Sequence, residues 1–318
     1  MTSISKNALL AGGSLAVASS AMFTGKVIVA KLAYGRGLDP AGLVLLRMVF
    51  SSPVYCLLLL CELRRGVKIT FSDSVKIILM GLLGYFVSTT LDFVGIHYIS
   101  TALERMILQL SPSVVMLVGF VFMHEKLDMK LIFAMALGYA GVTLMVQSEL
   151  GGAPTSGHAA NALLGVGLVG AATVVYAIYV IGAERMMRRV DSGIFTSLGM
   201  IGASVGVFIF YVADKGLAAP THDSGALWLG VVMAVFCTLV PSYMINRAIH
   251  LIGGARMGPF NYFGMGLTFI VSAWLLDEAF PAEKLAGILF AMAGALALTM
   301  GKAKKSAAEK PAREGGEC

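Results

Sequence analysis

Apolar and polar residues alternate along this chain in long blocks. Each apolar block is close to the roughly 20 residues that an α-helix needs to cross the hydrocarbon core of a bilayer. The polar breaks between the blocks are mostly short, which is typical of a compact helical bundle. The pattern predicts ten transmembrane helices, at residues 8–34, 41–61, 75–95, 98–121, 131–147, 162–183, 194–213, 225–246, 252–275 and 284–300.

A polar stretch in the middle of the chain, "QSELGGAPTSGHAAN" at 147–161, divides the ten spans into two groups of five. The groups align without gaps at a shift of 153 residues, which places Glu125 on Glu278 and Gly141 on Gly294. We interpret this alignment as an internal repeat. It predicts a first five-helix repeat at 1–148, an outer linker at 149–161, a second repeat at 162–300 and a disordered cytoplasmic tail at 301–318.

Five crossings bring the chain to the opposite side of the membrane, so the second repeat must enter it upside down. Inverted repeats are found in many secondary transporters, which bind substrate near the midplane between the two copies. The sequence therefore predicts an all-α polytopic membrane protein with ten transmembrane helices in two inverted five-helix repeats.

The composition agrees with a membrane fold, and the distribution of its positive charges predicts which side of the membrane holds the termini. Apolar residues make up 58% of the chain and charged residues only 13%, about half the share in soluble proteins. Of the 24 lysines and arginines, 17 fall in segments that would be inside and four in segments that would be outside if both termini are cytoplasmic. This bias predicts a multi-pass protein of the cell (inner) membrane. The net charge of +6 is then a feature of topology and does not indicate a nucleic-acid partner.

The sequence carries no clear signature of a cofactor, a metal or an ATP-driven motor. Its four cysteines form no C-x-x-C pair, and no Walker, H-E-x-x-H or G-x-S-x-G sequence is present. "GVGLVG" at 165–170 matches the dinucleotide pattern but lies inside an apolar helix, where it indicates packing. The expected partners are a small-molecule substrate and the lipid bilayer.

Lys26 and Asp92 are charged residues within the first and third predicted spans. A charge at the bilayer centre costs about 2.5–3.5 kcal/mol on insertion scales, so both should face protein or water. We predict that they pair in the outer half of the membrane. The pair could line the substrate cavity or join the helices structurally, and Lys26 could instead snorkel to the surface.

Glu104 and Arg105 begin the fourth span, about one turn from its outer end. Adjacent helical residues point about 100° apart, so we expect that the two do not form one contact surface. One would face the cavity entrance as part of a rim or gate, or both would anchor the helix at the interface. Gln109, one turn further in, is a candidate hydrogen-bonding residue of the cavity. Proton coupling through Asp92 or Glu104 is a further hypothesis.

The second half offers mostly neutral polar groups. Tyr179 aligns with Lys26 in the repeat and could supply a hydroxyl and an aromatic wall, although each aromatic residue alone is also typical of packing. Arg47, in the second span, is interpreted mainly as a structural pairing residue. The candidate cavity residues of the second half are Tyr176, Tyr179, Asn246, Arg256, Asn261 and Tyr262.

Three segments resemble a known family: "LLRMVF" (45–50), "YISTALERMILQLSPSVVMLVGFVFMHEKL" (98–127) and its counterpart "LIGGARMGPFNYFGMGLTFIVSAWLLDEAF" (251–280). They are similar to the EamA family of the drug/metabolite transporter superfamily, and the resemblance covers about residues 8–300. It implies a central cavity lined by the first, third, fourth, sixth, eighth and ninth helices. It also implies transport of amino acids and other small metabolites, often outward and without ATP.

Together these features predict a secondary-active transporter that moves small polar or zwitterionic metabolites, amino acids or their relatives, by alternating access, as an exporter. An alternative is a carrier of organic anions or phosphorylated metabolites, which Lys26, Arg105 and Arg256 would favour. A membrane enzyme using Asp92, Glu104 and His97, or a receptor, is a further alternative that the inverted repeat disfavours.

Overall fold

The structure, a computed structural model, describes residues 6–66, 69–123, 129–151, 156–187, 189–252, 258–276, 282, 284–290 and 292–294. All regular secondary structure in these residues is helical. The main elements are α1 (Lys6–Gly35), α2 (Pro40–Arg64), α3 (Phe71–Gly81), π1 (Leu82–Val87), α4 (Ser88–Tyr98), α5 (Thr101–Gln109), α6 (Ser111–Met123), α7 (Met129–Gly151), α8 (Ser156–Met187), α9 (Ser192–Lys215), α10 (Ser224–Ala234), π2 (Val235–Leu239), α11 (Val240–Ile252) and α12 (Gly258–Leu275).

Eight helical stretches of the described residues are long and apolar enough to cross a membrane. They coincide with the first eight predicted spans, and α3, π1 and α4 form one of them. Two shorter apolar helices, Gly266–Leu275 and Lys284–Gly294, lie within the ninth and tenth predicted spans. The helical membrane fold is thereby confirmed, while the count of ten spans stays a prediction.

The stretch predicted as a linker between the repeats contains helical residues at both ends. α7 continues to Gly151 and α8 begins at Ser156. The predicted tail, 301–318, lies outside the described residues.

The fourth span is broken into α5 and α6 at Leu110, where the sequence predicted one continuous helix. Proline has no N–H to donate, and its ring clashes with the carbonyl four residues earlier. The helix therefore restarts so that Pro112 falls in the first turn of α6, where a missing N–H costs little. The hydroxyl of Ser113 donates a hydrogen bond to the carbonyl of Leu110 at 2.7 Å, and the same oxygen also accepts from the amides of Ser113 and Val114.

Two spans contain a π-helical turn at the same position of the repeat. π1 begins at Leu82 in the third span and π2 begins at Val235 in the eighth, 153 residues later. In a π-turn the backbone hydrogen bonds span five residues, and such turns are frequent at functional sites. In π2 the Thr238 hydroxyl also donates to the carbonyl of Met233, five residues earlier, at 3.0 Å. The repeat is therefore visible in backbone geometry as well as in hydropathy.

The chain divides into two compact units, and each unit combines segments from both halves of the sequence. Unit 1 comprises Met1–Gly25, Thr101–Pro154 and Val240–Cys318, and unit 2 comprises Lys26–Ser100 and Thr155–Leu239.

Within unit 2, the repeat equivalents α2 and α9 pack against each other in opposite directions. A Cβ placed on Gly193, at the start of α9, would lie 3.4 Å from the side chain of Glu62, at the end of α2. At their other ends, Nζ of Lys215 lies 3.9 Å from Oδ2 of Asp39, the residue that caps α2. Antiparallel packing of equivalent helices is the arrangement that an inverted repeat requires.

A second pair of contacts in unit 2 follows the same symmetry. On one side, α3 approaches α9 so closely that a Cβ on Gly81 would collide with the backbone of Gly199. On the other, α10 approaches α2, and a Cβ on Gly230 would lie 2.8 Å from Cβ of Leu46, the repeat equivalent of Gly199. Small residues at such crossings let helix backbones come close, which is how helices associate in a membrane.

Within unit 1, α5 packs against α7 and α12. Leu103 and Met106 of α5 are fully buried there. Glu104, which lies between them in the sequence, is fully buried as well.

Candidate functional site

Lys26 and Asp92 form an ion pair inside unit 2. Nζ of Lys26 lies 2.6 Å from Oδ2 of Asp92, and the two side chains are 18% and 5% exposed. The predicted pairing is therefore present. Oδ1 of Asp92 is buried and accepts no hydrogen bond from the described residues. A buried carboxylate oxygen without a donor is costly, so this atom is a natural position for a ligand's N–H group.

Contacts between α1 and α4 fix the position of this pair. The hydroxyl of Tyr34 donates to the carbonyl of Phe93 at 2.9 Å, and Nζ of Lys31 donates to the carbonyl of Ile99 at 2.6 Å. The ring of Phe93 is fully buried beside Asp92, with its centroid 5.8 Å from Nζ of Lys26. At this distance a cation is attracted by the face of an aromatic ring.

Arg47 of α2 approaches the same ring. Its Cζ also lies 5.8 Å from the centroid of Phe93, and its Nε donates a hydrogen bond of 2.9 Å to Oγ1 of Thr238 in π2. Arg47 further interacts electrostatically with Asp92. The structural pairing predicted for Arg47 exists, but its hydrogen-bond partner is a neutral hydroxyl. We call Lys26, Arg47, Asp92, Phe93 and Thr238 the charged side of unit 2.

Three tyrosines form a second polar group, which we call the tyrosine side. The hydroxyl of Tyr179 donates to that of Tyr85 in π1 at 2.8 Å, and their ring centroids are 5.1 Å apart. The ring of Tyr176 lies 5.8 Å from that of Tyr179. Tyr179 is buried, whereas Tyr176 is 41% exposed.

In unit 1, Glu104 and Arg105 lie in contact with each other. Nε of Arg105 is 3.0 Å from Oε2 of Glu104, although the two atoms are not aligned for a hydrogen bond. The expectation that adjacent residues would not share a contact surface was wrong, because the long arginine side chain can turn back towards its neighbour. Glu104 is fully buried and Arg105 is 12% exposed. The role of either residue in a rim or gate stays a prediction.

The remaining candidates are only partly described. Gln109 is half-buried at the end of α5. Asn246, Asn261 and Tyr262 lie on helices α11 and α12, but their side chains fall outside what the structure describes, and Arg256 lies outside the described residues. For every candidate, the role in a substrate cavity stays a prediction.

Outside the spans, Asp223 caps α10 and ties it to the loop after α1. Its carboxylate accepts hydrogen bonds from the amides of Ala226 at 2.9 Å and Gly225 at 3.3 Å, and Nη1 of Arg36 lies 3.3 Å away. These contacts, the amide of Ala226 foremost, hold the pKa of Asp223 below its ordinary value. Among the described residues, no cluster of histidine, cysteine or acidic side chains could hold a metal ion.

Sequence reasoning missed Tyr85 and Thr238 as functional candidates. A hydroxyl residue inside an apolar span is common and attracts little notice on its own. The signal that could have found them is the repeat itself, since the shift of 153 residues places Tyr85 on Thr238.

Comparison with known proteins identifies the family. A sequence model of the EamA-like transporter family matches residues 10–147 and, offset by the same 153 residues, residues 163–300. An uncharacterized transporter of Bacillus subtilis (strain 168), YcbK, is 26% identical over 266 residues, which cover 80% of this chain and 82% of that protein. A second, YetK, is 22% identical over 306 residues and covers 94% of this chain and 88% of its own length.

A solved crystal structure supports the fold. It aligns with a TM-score of 0.63 at 15% identity and covers 91% of this chain and 96% of that one. With two family matches that together cover most of its length, this chain belongs to the EamA-like transporter family.

Proposed function

We propose that this multi-pass transporter is a secondary-active carrier of small polar or zwitterionic metabolites, amino acids or their relatives. It works by alternating access and exports its substrate. The observation that carries the proposal is the buried Lys26–Asp92 pair with its unsatisfied Oδ1. Charged residues inside transmembrane segments mark substrate and ion pathways. In this pair, Oδ1 of Asp92 is a hydrogen-bond acceptor suited to an ammonium group.

The antiparallel packing of α2 and α9 supports alternating access through two inverted five-span repeats. The complete fold would then have ten spans in the inner membrane and both termini in the cytoplasm. The tyrosine side would supply a neutral wall of the substrate cavity.

A proton is the proposed coupling ion. Asp92 and Glu104 are buried carboxylates within the spans, and either could carry a proton in exchange for substrate. Unchanged transport at every pH in both Asp92→Asn and Glu104→Gln would rule this coupling out.

Flux measurements in liposomes test the proposed function. Purified protein would be reconstituted and assayed with each of the twenty protein amino acids, with and without a pH gradient. We expect flux of at least one amino acid, driven by the gradient and lost in Asp92→Asn. Chemical conversion without flux would indicate an enzyme and contradict the proposal.

The alternative, a carrier of organic anions or phosphorylated metabolites, is favoured by one observation in unit 1. Nη2 of Arg105 is buried and donates no hydrogen bond to the described residues. Flux of small carboxylates or sugar phosphates, without flux of any amino acid, would establish this alternative. Loss of that flux in Arg105→Gln would assign the anion to this residue.

A further inference from the structure

The guanidinium of Arg47 uses only part of its hydrogen-bonding capacity. An arginine has five N–H donors, and among the described residues Arg47 donates only from Nε, to Thr238. Its two Nη nitrogens make no hydrogen bond there, yet they are not among the unpartnered atoms sealed from solvent. Solvent therefore reaches at least part of these two nitrogens.

Among the described residues, Arg47 and Asp92 both keep hydrogen-bonding positions that a ligand can use. On Arg47 these are the two Nη nitrogens. Oδ2 of Asp92 is paired with Lys26, whereas Oδ1 accepts nothing from the described residues. A buried polar atom without a hydrogen bond is costly. A ligand with one anionic and one N–H-donating group would satisfy both Arg47 and Oδ1 of Asp92.

The ring of Phe93 holds these two positions close together. Nζ of Lys26 and Cζ of Arg47 both lie 5.8 Å from its centroid, so they are separated by no more than twice that distance. Asp92 is the residue next to Phe93. Asp92 and Arg47 also interact electrostatically with each other, which is the proximity that a single bound ligand needs.

Thr238 orients the guanidinium for this task. Its Oγ1 accepts from Nε of Arg47 and donates to the carbonyl of Met233, and these two hydrogen bonds fix the orientation of the hydroxyl. The Nη edge of Arg47 is left to present two parallel N–H groups. This fork matches the two oxygens of a carboxylate better than any other side chain does.

We propose that Arg47 binds the carboxylate of the substrate, that Oδ1 of Asp92 accepts a hydrogen bond from its ammonium group, and that Thr238 is a positioning residue for Arg47. The inference rests on the proposed function and deepens it. The ligand class is the free α-amino acid, with both ends unmodified. A carboxamide lacks the anion for Arg47, and a des-amino acid lacks the donor for Asp92.

The test is solute counterflow in liposomes containing the full chain. The labelled probe is the best transported of the twenty protein amino acids, and the unlabelled competitors are the same amino acid, its carboxamide and its des-amino acid. For the wild type we expect the amino acid to compete at least about tenfold better than either analogue, the range of a charge-assisted hydrogen bond. Arg47→Gln should lose the preference over the carboxamide and keep the preference over the des-amino acid. Arg65→Gln, which removes an exposed guanidinium of the same unit, should behave like the wild type.

Thr238 provides an independent test that leaves Arg47 in place. Thr238→Val should reduce the preference for the carboxylate severalfold, and Thr238→Ser should restore it. If Arg47→Gln cannot be purified in folded form, the comparison of Thr238→Val with Thr238→Ser tests whether Arg47 binds the carboxylate. Equal competition by the carboxamide in the wild type, or an undiminished preference in Arg47→Gln or Thr238→Val, would overturn the assignment. Absence of flux for all twenty amino acids would instead overturn the proposed function itself.

Discussion

π1 and π2 are the same turn in two copies of the repeat, but their hydroxyl residues have different partners. Tyr85 in π1 accepts a hydrogen bond from Tyr179 at 2.8 Å, and Thr238 in π2 accepts one from Arg47 at 2.9 Å. The repeat has kept the backbone geometry and the position of the hydroxyl. It has not kept the chemistry, which is neutral and aromatic on one side and charged on the other.

The same asymmetry extends to the neighbouring positions. The equivalent of Lys26 is Tyr179, and the equivalent of Asp92 is Ile245. Among the described residues, every charge of the buried layer therefore comes from the first copy. The substrate recognition proposed above, by Arg47 and Asp92, uses residues of the first copy only.

The largest loss of stability and transport is expected on the charged side, from Asp92→Asn. Removing one partner of a buried ion pair costs about 3–5 kcal/mol, because the other charge is left uncompensated. Thermal unfolding of the purified variant in detergent would measure the loss, and transport should disappear with it.

The double variant Lys26→Met/Asp92→Asn separates the two effects of that substitution. It removes both charges, so it should recover most of the stability and still fail to transport. Normal transport by the double variant would mean that the pair is only structural.

A smaller loss of stability is expected at the hydrogen bond between Arg47 and Thr238 of π2. Thr238→Val removes the acceptor of a charged donor, which costs about 1–3 kcal/mol. Thr238→Ser keeps the hydroxyl and is the matched control. In thermal unfolding, the wild type and Thr238→Ser should have similar melting temperatures, and Thr238→Val should melt at a lower temperature.

The equivalent change on the tyrosine side should cost less. Tyr85→Phe removes the acceptor of a hydrogen bond between two neutral hydroxyls, worth about 0.5–1.5 kcal/mol. Transport should stay close to that of the wild type. A larger loss of stability and flux in Tyr85→Phe than in Thr238→Val would reverse the roles that we assign to the two sides.

The smallest effect is expected at Asp223, outside both sides. Because its pKa in the folded protein lies below the ordinary value, the ionised carboxylate stabilises the fold above the ordinary pKa. This contribution is lost as the pH falls through the lowered pKa. Asp223→Asn should therefore be slightly less stable than the wild type at neutral pH, and the two melting temperatures should converge in acid. A difference that persists in acid would mean that the charge of Asp223 is not the cause.

The sequence was sufficient for the features that depend on hydropathy and depth. Long apolar blocks set the first eight spans, and the gapless shift of 153 residues predicted the repeat that the family model matches independently. The Lys26–Asp92 pair was predictable because a charge inside a span needs a partner at a similar depth.

Features that depend on side-chain conformation or on small backbone changes were not predictable in the same way. Hydropathy does not distinguish a π-turn from an α-helix, so π1 and π2 left no signal in either copy alone. The contact between Arg47 and Thr238 joins residues 191 positions apart, and neither position specifies the other. The Glu104–Arg105 contact depends on how a flexible arginine side chain folds back, which helical geometry alone does not determine.

Direct binding of the transported amino acid to the purified protein tests most sharply whether the charged side holds the substrate. Isothermal titration would compare the wild type, Tyr85→Phe and the charge-neutral Lys26→Met/Asp92→Asn variant. We expect the wild type and Tyr85→Phe to bind with similar affinity, and the neutral variant to bind at least about tenfold more weakly, the range of a charge-assisted hydrogen bond. Equal affinity in the neutral variant would contradict the assignment of the substrate's ammonium group to Asp92.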